Sequence, residues 1–444
     1  MSCNIAAIST GMAASGVAVI RISGDSPLSI AEKMFKPAGK TAVKDFKPSV
    51  MYVGEIDCGG FSDFGMCVYF KAPKSFTGED TVEFHSHGGL AITQGILKQT
   101  IALGARLATN GEFTKRAFLN GKLSLSSAEG LITMINGESE AQAKAGYYLY
   151  REKLTAKVNA MQSELTDALS EIDADMDFPE EGLEISAKES VKKALSSVKN
   201  ELDGLLKTYR TGRKIVGGVK VGICGKPNTG KSSLLNALLN YDKAIVSEIA
   251  GTTRDVVEGA LDIRGVRFNF CDTAGIRGTD DAVEQVGVNL SKKILEESDL
   301  TVFVMDGTDI DKADDDIYEI IKDKNILVVL NKCDKAIAED ARAELKVSAL
   351  EKINIEELKE LIYNKTIGKG IDINGDFLCE ERHYNAMTAA KEAITSALSS
   401  IDAVPLDVLS IDLKTAWEHL GEITGKTATE DIINNIFSKF CVGK

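Results

Sequence analysis

Residues Gly225-Lys226-Pro227-Asn228-Thr229-Gly230-Lys231-Ser232 carry the GxxxxGK[ST] spacing of a phosphate-binding loop, set between a β-rich run and the helix-forming SSLLNALLN. Glycines let successive backbone N–H groups close around phosphate oxygens, and the N-terminus of the following helix favours negative charge. In that arrangement Lys231 reaches the terminal phosphates and the Ser232 hydroxyl is a ligand for Mg2+. Asp272-Thr273-Ala274-Gly275 closes another β-rich run; its aspartate can hold the magnesium shell and its glycine N–H can sense a γ-phosphate. Asn331-Lys332-Cys333-Asp334 closes a third. Asp334 can accept from guanine's ring N–H and amino group together, and adenine would leave that carboxylate unpaired. Ser348-Ala349 fits a backbone contact to the guanine oxygen. Gly251-Thr252-Thr253-Arg254-Asp255 lies where a switch loop supplies a magnesium-ligating threonine, Thr253. These elements, in this order and at strand ends, specify a guanine-nucleotide-hydrolysing P-loop protein.

One position constrains how it hydrolyses. Ras-type enzymes place a water-orienting glutamine directly after DxxG. Here that residue is Ile276, which cannot orient water. Arg277, Glu284 and Arg254 are nearby candidates to position the nucleophile or neutralise charge, and a monovalent cation at the phosphates is another.

The elements that must carry these motifs are legible in the pattern. Residues 219–364 alternate β-rich runs (VKVGIC, VRFNFCD, LTVFVMD, ILVVLNK, LKVSAL) with helices, the pattern of a doubly wound α/β domain. On its amino-terminal side, Leu154, Val158, Met161, Leu165, Leu169 and Ile172 recur at helical steps. DFPEEG (177–182) interrupts the helix, and a second stripe runs from Val191 to Tyr209. On the carboxy-terminal side three more helices are predicted, the last opening on a capping box from Thr427 to Glu430. Helices on both sides of a self-contained α/β unit predict a G domain inserted into a helical bundle. The first part, with strands at 17–23 and 66–72 and a helix at 90–105, reads as a separate α+β domain. The expected division is 1–118, 119–217, 218–368 and 369–444, and the fold class is α/β plus all-α.

The 444-residue length supports several cores, and 44% apolar with 27% charged residues is ordinary globular composition. No apolar run is long enough to cross a bilayer, and the start lacks a basic region before its apolar stretch, so a cytoplasmic location with no membrane contact is expected. Eight scattered cysteines without a CxxC pair read as free thiols. The net charge of −14 argues against wrapping a long nucleic acid, and basic clusters such as Lys115-Arg116 read as solvated helix faces. His85-x-His87 offers two ligands on one strand face but no third, so turn and packing roles are expected there rather than zinc.

The segments AAIST…GVAVIRISG (6–24), SFTGEDTVEFHSHGG (75–89), GEFTKRAFLNGKLSLSSAEG (111–130), DFPEE (177–181) and the terminal FSKFCVGK (437–444) join the G motifs in a wider pattern. With them the chain resembles the MnmE (TrmE) family of tRNA-modification GTPases over nearly its whole length. The resemblance implies a homodimer that works with the flavoprotein MnmG in a heterotetramer. Together they add an aminomethyl-type group at C5 of the wobble uridine of tRNA, with a reduced folate as one-carbon donor. It implies that Arg21, Glu83, Lys122 and Lys444 contact the folate, a chemically sensible set for a pterin and carboxylates. It makes Cys441, which alone reads as a buried thiol, a cysteine needed for modification. It extends the GTP-binding set to Ser233 and to Ser247, Glu248, Ile249, Ala250, Gly251 and Thr252. It also implies K+ held by Asn228, Ser247, Ile249 and Thr252, with Glu284 orienting the attacking water.

The chain departs from the family pattern at Thr10-Gly11-Met12-Ala13-Ala14-Ser15, at Asn110 before GEFT, at Ser124 in the KLDL element and at Ser247. A competing reading is a regulatory or assembly GTPase whose flanks bind ribosomal RNA or another partner. Arg21, Glu83 and the FCVGK tail favour the modifying enzyme.

Overall fold

The computed structural model describes residues 3–177, 184–241, 259–272, 296–368 and 376–444. The chain divides into two compact units, one formed by 1–132, 148–199 and 389–444 and the other by 133–147 and 200–388.

The first unit opens on a seven-stranded sheet. Its strands are β1 (Ile5–Ile8), β2 (Ser15–Gly24), β3 (Phe35–Pro37), β4 (Met51–Asp57), β5 (Ser62–Phe70), β6 (Asp80–Gly88) and β7 (Arg106–Leu107), in the order β3-β4-β5-β6-β2-β1-β7. All pairings are antiparallel except the last, β1 with β7. Period-two alternation sorts the side chains. Ile20, Ile22, Ile56, Cys67, Val82 and Phe84 face one way and are buried with Ile30, Met34 and Ile96 of α1 (Pro27–Met34) and α2 (Leu90–Ala102). The opposite face leaves Val17, Met51, Val53 and Phe64 exposed.

Helices follow: α3 (Glu112–Leu119), α4 (Leu125–Asn136), α5 (Glu140–Tyr150), α6 (Lys153–Asp177) and α7 (Glu184–Gly217). The predicted stripe is the core of α6, with Leu154, Val158, Met161, Leu165 and Ile172 all buried; Leu169 is only partly so. Within the same unit Gln162 of α6 donates to the Trp417 carbonyl at 2.9 Å. The interruption predicted at 177–182 falls largely outside the described residues, between the end of α6 and the start of α7.

The G domain of the second unit carries β8 (Val219–Cys224), α8 (Lys231–Tyr241), β9 (Gly259–Ile263), β10 (Val266–Asp272), β11 (Leu300–Asp306), α9 (Lys312–Ile321), β12 (Ile326–Asn331), β13 (Leu345–Lys346) and α10 (Ile355–Thr366). Strand order is β13-β12-β11-β8-β10-β9, parallel except for the β9–β10 hairpin. That hairpin turns on Arg264 and Gly265, both at positive φ, as a two-residue turn between twisted strands requires. β11 is buried at every position, which is why LTVFVM reads as one apolar run rather than an alternation.

The carboxy-terminal helices are α11 (Glu381–Ser400), α12 (Leu406–Thr424) and α13 (Glu430–Ser438). Two local expectations are corrected. Thr429, not Thr427, caps α13 by accepting from the Ile432 N–H. The Thr427 hydroxyl instead donates to the Glu418 carbonyl at 2.6 Å, because the left-handed Gly425 ends α12 just before it. Arg116 is not on a solvated face: its side chain is 12% exposed and pairs with Glu79 and Glu112, both at 3.0 Å. Glu112 also takes Arg106; burial alone would raise its pKa, but these guanidinium bonds and the Thr109 N–H hold it down at about 2. Packing of GEFTKR against SFTGED creates this network, and no charge count along the chain shows it.

Candidate functional site

The phosphate loop leaves β8 through Gly225 (φ +146°), where a Cβ would overlap the Val304 carbonyl oxygen, and enters α8 through Gly230 (φ +90°). Only glycine fits both the dihedrals and the approach. Asn228 sits between them at φ +66°. Lys231, 5% exposed, folds back on the loop, its ammonium donating to the carbonyls of Gly225 (2.9 Å) and Lys226 (2.7 Å). Thr229 is buried and donates its hydroxyl to the Lys226 carbonyl at 3.0 Å. Ser232 and Ser233 are exposed in the first turn of α8. Asp272 ends β10 in register with Ile223 of β8, so its backbone lies at the loop's edge of the sheet.

Parallel pairing brings the Asn331-Lys332-Cys333-Asp334 motif to the same edge. Asn331 ends β12 and is 2% exposed; it donates to the Thr229 carbonyl at 2.8 Å and accepts from the Ala349 N–H at 3.1 Å. One buried amide therefore ties the phosphate loop to the Ser348-Ala349 segment. Lys332 donates to the Asn228 carbonyl at 3.1 Å and pairs with Asp306 at 2.5 Å. Burial alone would raise the Asp306 pKa, but the bonds from Lys332 and Thr308 outweigh it and the carboxyl is lowered. Asp334 accepts from the Ser348 hydroxyl at 2.6 Å, and this bond is the main reason its pKa is lowered. The arrangement presents a fixed, ionised acceptor beside a loop of backbone donors, which suits a base with two adjacent donors joined to phosphates.

Ser247, Glu248, Ile249, Ala250, Gly251, Thr252, Thr253 and Arg254 lie outside the described residues, as do Thr273, Ala274, Gly275, Ile276, Arg277 and Glu284. Hydroxyl and carboxylate donors such as Ser232 and Asp272 are hard oxygen ligands, the kind Mg2+ takes, and the amide oxygen of Asn228 is a donor of the kind K+ takes. Among the described residues no group of three His, Cys, Asp or Glu could hold a metal. His87 instead pairs with Asp63 at 2.7 Å and His85 with Glu83 at 3.3 Å.

In the first unit, Arg21 of β2 and Glu83 of β6 stand directly opposite each other and pair at 2.7 Å, both largely buried. The Arg21 guanidinium lies 5.2 Å from the Phe76 ring centre and 5.7 Å from that of Phe113. Burial pushes the Glu83 carboxyl up, but the bond from His85 and the charge of Arg21 overcome it, so its pKa is lowered. Lys122 donates to the Pro73 carbonyl at 2.9 Å. The chain's last residues return to this sheet: Val442 bridges Asn110, and the Gly111 N–H donates to the Cys441 carbonyl at 3.4 Å. Gly443, at φ +100°, packs so closely on the Ile8 carbonyl that a Cβ would overlap it. Ile8 lies on β1 next to Ala7, the residue opposite Arg21. Cys441 is therefore exposed on a docked tail, not buried as its apolar neighbours suggest, and Lys444 is half-buried behind it.

The sequence motifs do not mark Asp306, Phe76 or Phe113, and they give His85 a packing role rather than its bond to Glu83. An acidic residue at the carboxy end of a buried parallel strand is a signal for Asp306. The two phenylalanines stand inside the quoted SFTGED and GEFT segments, yet their common partner on β2 is visible only in three dimensions.

The family description "MnmE helical domain" matches residues 125–441, and "GTP-binding protein TrmE N-terminus" matches residues 4–122. Proteins named tRNA modification GTPase MnmE from Thermoanaerobacter pseudethanolicus and Caldicellulosiruptor saccharolyticus are 40% and 39% identical to this chain, over 99% of both chains in each case. The one from Clostridioides difficile is 37% identical over the same share. Among solved structures, Aquifex aeolicus Era aligns at 32% identity over 39% of this chain and 66% of that one, with a TM-score of 0.27. With an amino-terminal and a helical family match that together span the chain, and relatives similar from end to end, this chain belongs to the MnmE (TrmE) family of tRNA modification GTPases.

Proposed function

We propose that this GTPase acts with MnmG to install an aminomethyl or carboxymethylaminomethyl group at C5 of the wobble uridine of tRNA, drawing one carbon from a reduced folate. The observation that carries the reading is the docking of the FCVGK tail against Ile8 of β1 and the Asn110-Gly111 segment. It brings an exposed Cys441 to the sheet that holds the Arg21–Glu83 pair. A regulatory GTPase that only binds RNA has no need of a thiol brought back across more than 300 residues to the sheet that holds such a pair.

In this reading Arg21, Glu83, Lys122 and Lys444 hold the folate, and Cys441 serves the modification chemistry. Asn228 to Ser233, Ser247 to Thr252, Asp272 to Gly275, Asn331, Lys332, Asp334, Ser348 and Ala349 hold GTP. Ser232 and Thr253 hold Mg2+. The chain is a homodimer; the exposed Val17, Met51, Val53 and Phe64 form an uncovered sheet face of the kind that associates. No described helix is long and apolar enough to cross a membrane, in keeping with a cytoplasmic protein that meets tRNA. The net charge of −14 disfavours self-sufficient tRNA binding by this chain, in keeping with a role inside the complex. The four-part division at 118, 217 and 368 goes with this reading.

Complementing a strain that lacks the chain's counterpart tests it by mass spectrometry of tRNA nucleosides. The intact chain should restore the modified wobble uridine, and Arg21→Ala and Cys441→Ser should not. Restoration by both variants at normal protein levels would refute the folate and thiol assignments. Full modification in the uncomplemented strain would move the regulatory reading ahead.

Hydrolysis is proposed to depend on K+, held by Asn228 with Ser247, Ile249 and Thr252, while Glu284 orients water and Arg277 neutralises developing charge. Ile276 in place of a water-orienting glutamine motivates this. GTP turnover in KCl should exceed that in NaCl of equal ionic strength by about tenfold or more, the scale of one positioned charge on the transition state. Equal rates would rule it out.

A further inference from the structure

Lys226 occupies a position that GxxxxGK[ST] leaves open to any residue. Its ammonium lies 3.0 Å from Asp311 and 2.9 Å from Asp314, and donates to the Asp309 carbonyl at 2.9 Å. The side chain is 12% exposed. Asp314 is fully buried: Oδ2 also accepts the Asp311 N–H at 3.1 Å, and Oδ1 has no hydrogen-bond partner among the described residues. A buried, half-satisfied carboxylate needs a cation on its other oxygen, and Lys226 is that cation. Asp311 and Asp314 also form the capping box of α9, so the attachment point is rigid.

The main chain of the same residue faces the phosphate site. The Lys226 carbonyl accepts the Lys231 ammonium at 2.7 Å and the Thr229 hydroxyl at 3.0 Å. With three N–H donors, the Lys231 ammonium can keep this carbonyl and that of Gly225 and still turn a donor toward a phosphate. The position of the carbonyl therefore sets where the loop holds Lys231 and how its neighbouring N–H groups are aimed. The charge of Lys226 itself is matched by two carboxylates, so little of it remains to act on phosphates directly.

We propose that Lys226 is a positioning residue for nucleotide binding, whose tether to Asp311 and Asp314 anchors the phosphate loop to the segment after β11. The proposal rests on the phosphate-loop reading of this site. Displacing the loop by an ångström or less weakens every backbone bond to the phosphates, and these bonds form in GDP and GTP alike. The expected result is a matched loss of affinity for both nucleotides rather than a loss confined to kcat.

The test is equilibrium titration of GDP and of a non-hydrolysable GTP analogue into the full chain, with GTP turnover measured alongside. Wild-type binding in the same assay checks the site itself, separately from the tether. Lys226→Met should raise both dissociation constants about tenfold. Lys226→Arg should stay within about threefold of wild type, since a guanidinium can span the same two carboxylates. Asp311→Asn keeps the helix cap and removes one charge, so it should fall between them. If Lys226→Met lowers the melting temperature yet binds both nucleotides normally well below it, the contact is structural only and the proposal fails. If Lys226→Met does not fold, Asp311→Asn decides: wild-type affinities there would overturn the proposal.

Discussion

Asp334→Asn is expected to turn the chain's preference from GTP toward xanthosine triphosphate. The carboxylate is ionised, fixed by the Ser348 hydroxyl at 2.6 Å, and has acceptor capacity left for a base. Guanine offers two adjacent donors to such a group. Asparagine keeps one acceptor and replaces the other with an N–H2 donor, which faces the guanine amino group donor to donor. Losing one charge-assisted bond and leaving a partner unsatisfied costs about 2–4 kcal/mol, so GTP affinity should fall roughly 30- to 1,000-fold. Xanthine carries an oxygen where guanine has its amino group, so the same variant should recover affinity for that base. Competition between the two nucleotides in one titration measures the switch directly. A variant that still prefers GTP would mean that Asp334 does not read the base. Ser348 can still donate to the asparagine oxygen, so the Ser348-Ala349 segment should stay in place and the fold should melt normally.

Lys231→Ala should abolish most turnover while leaving a folded protein. Lys231 is nearly buried, and its ammonium donates to main-chain carbonyls of its own loop. Each bond from this charged donor contributes about 1.5–3 kcal/mol, less than the stability of a typical domain. With nucleotide bound, the same ammonium faces charge that develops on the phosphates in the transition state. Removing one such preorganised donor typically lowers kcat about 10²- to 10³-fold. Single-turnover hydrolysis at saturating GTP separates this from weaker binding. A rate within about threefold of wild type would exclude Lys231 from transition-state stabilisation. Arginine should not substitute at this site, because a forked guanidinium is larger than the ammonium that fits between the Gly225 and Lys226 carbonyls.

The sequence by itself determined the strand-end motifs and their order. GxxxxGKS and NKCD need particular residues at fixed spacing because backbone geometry and base chemistry leave few substitutes. Their elements followed for the same local reason: the α6 stripe and the fully buried, mostly apolar β11 are patterns that survive translation into structure. The tertiary structure alone decided which distant residues share a site. Arg21 and Glu83 are 62 positions apart and become cross-strand partners only through the β2–β6 register. Asn331 joins two loops because parallel strands end on one edge, and Lys226 is bound to Asp314 because the segment after β11 folds over the phosphate loop. Cys441 illustrates the difference most clearly. Flanked by Phe440 and Val442 it reads as a buried thiol, yet the tail pairs with Asn110 and leaves it exposed. Local pattern reports the average environment of a residue type, whereas long-range pairing, set by summed burial and hydrogen bonding over whole surfaces, assigns each residue its own.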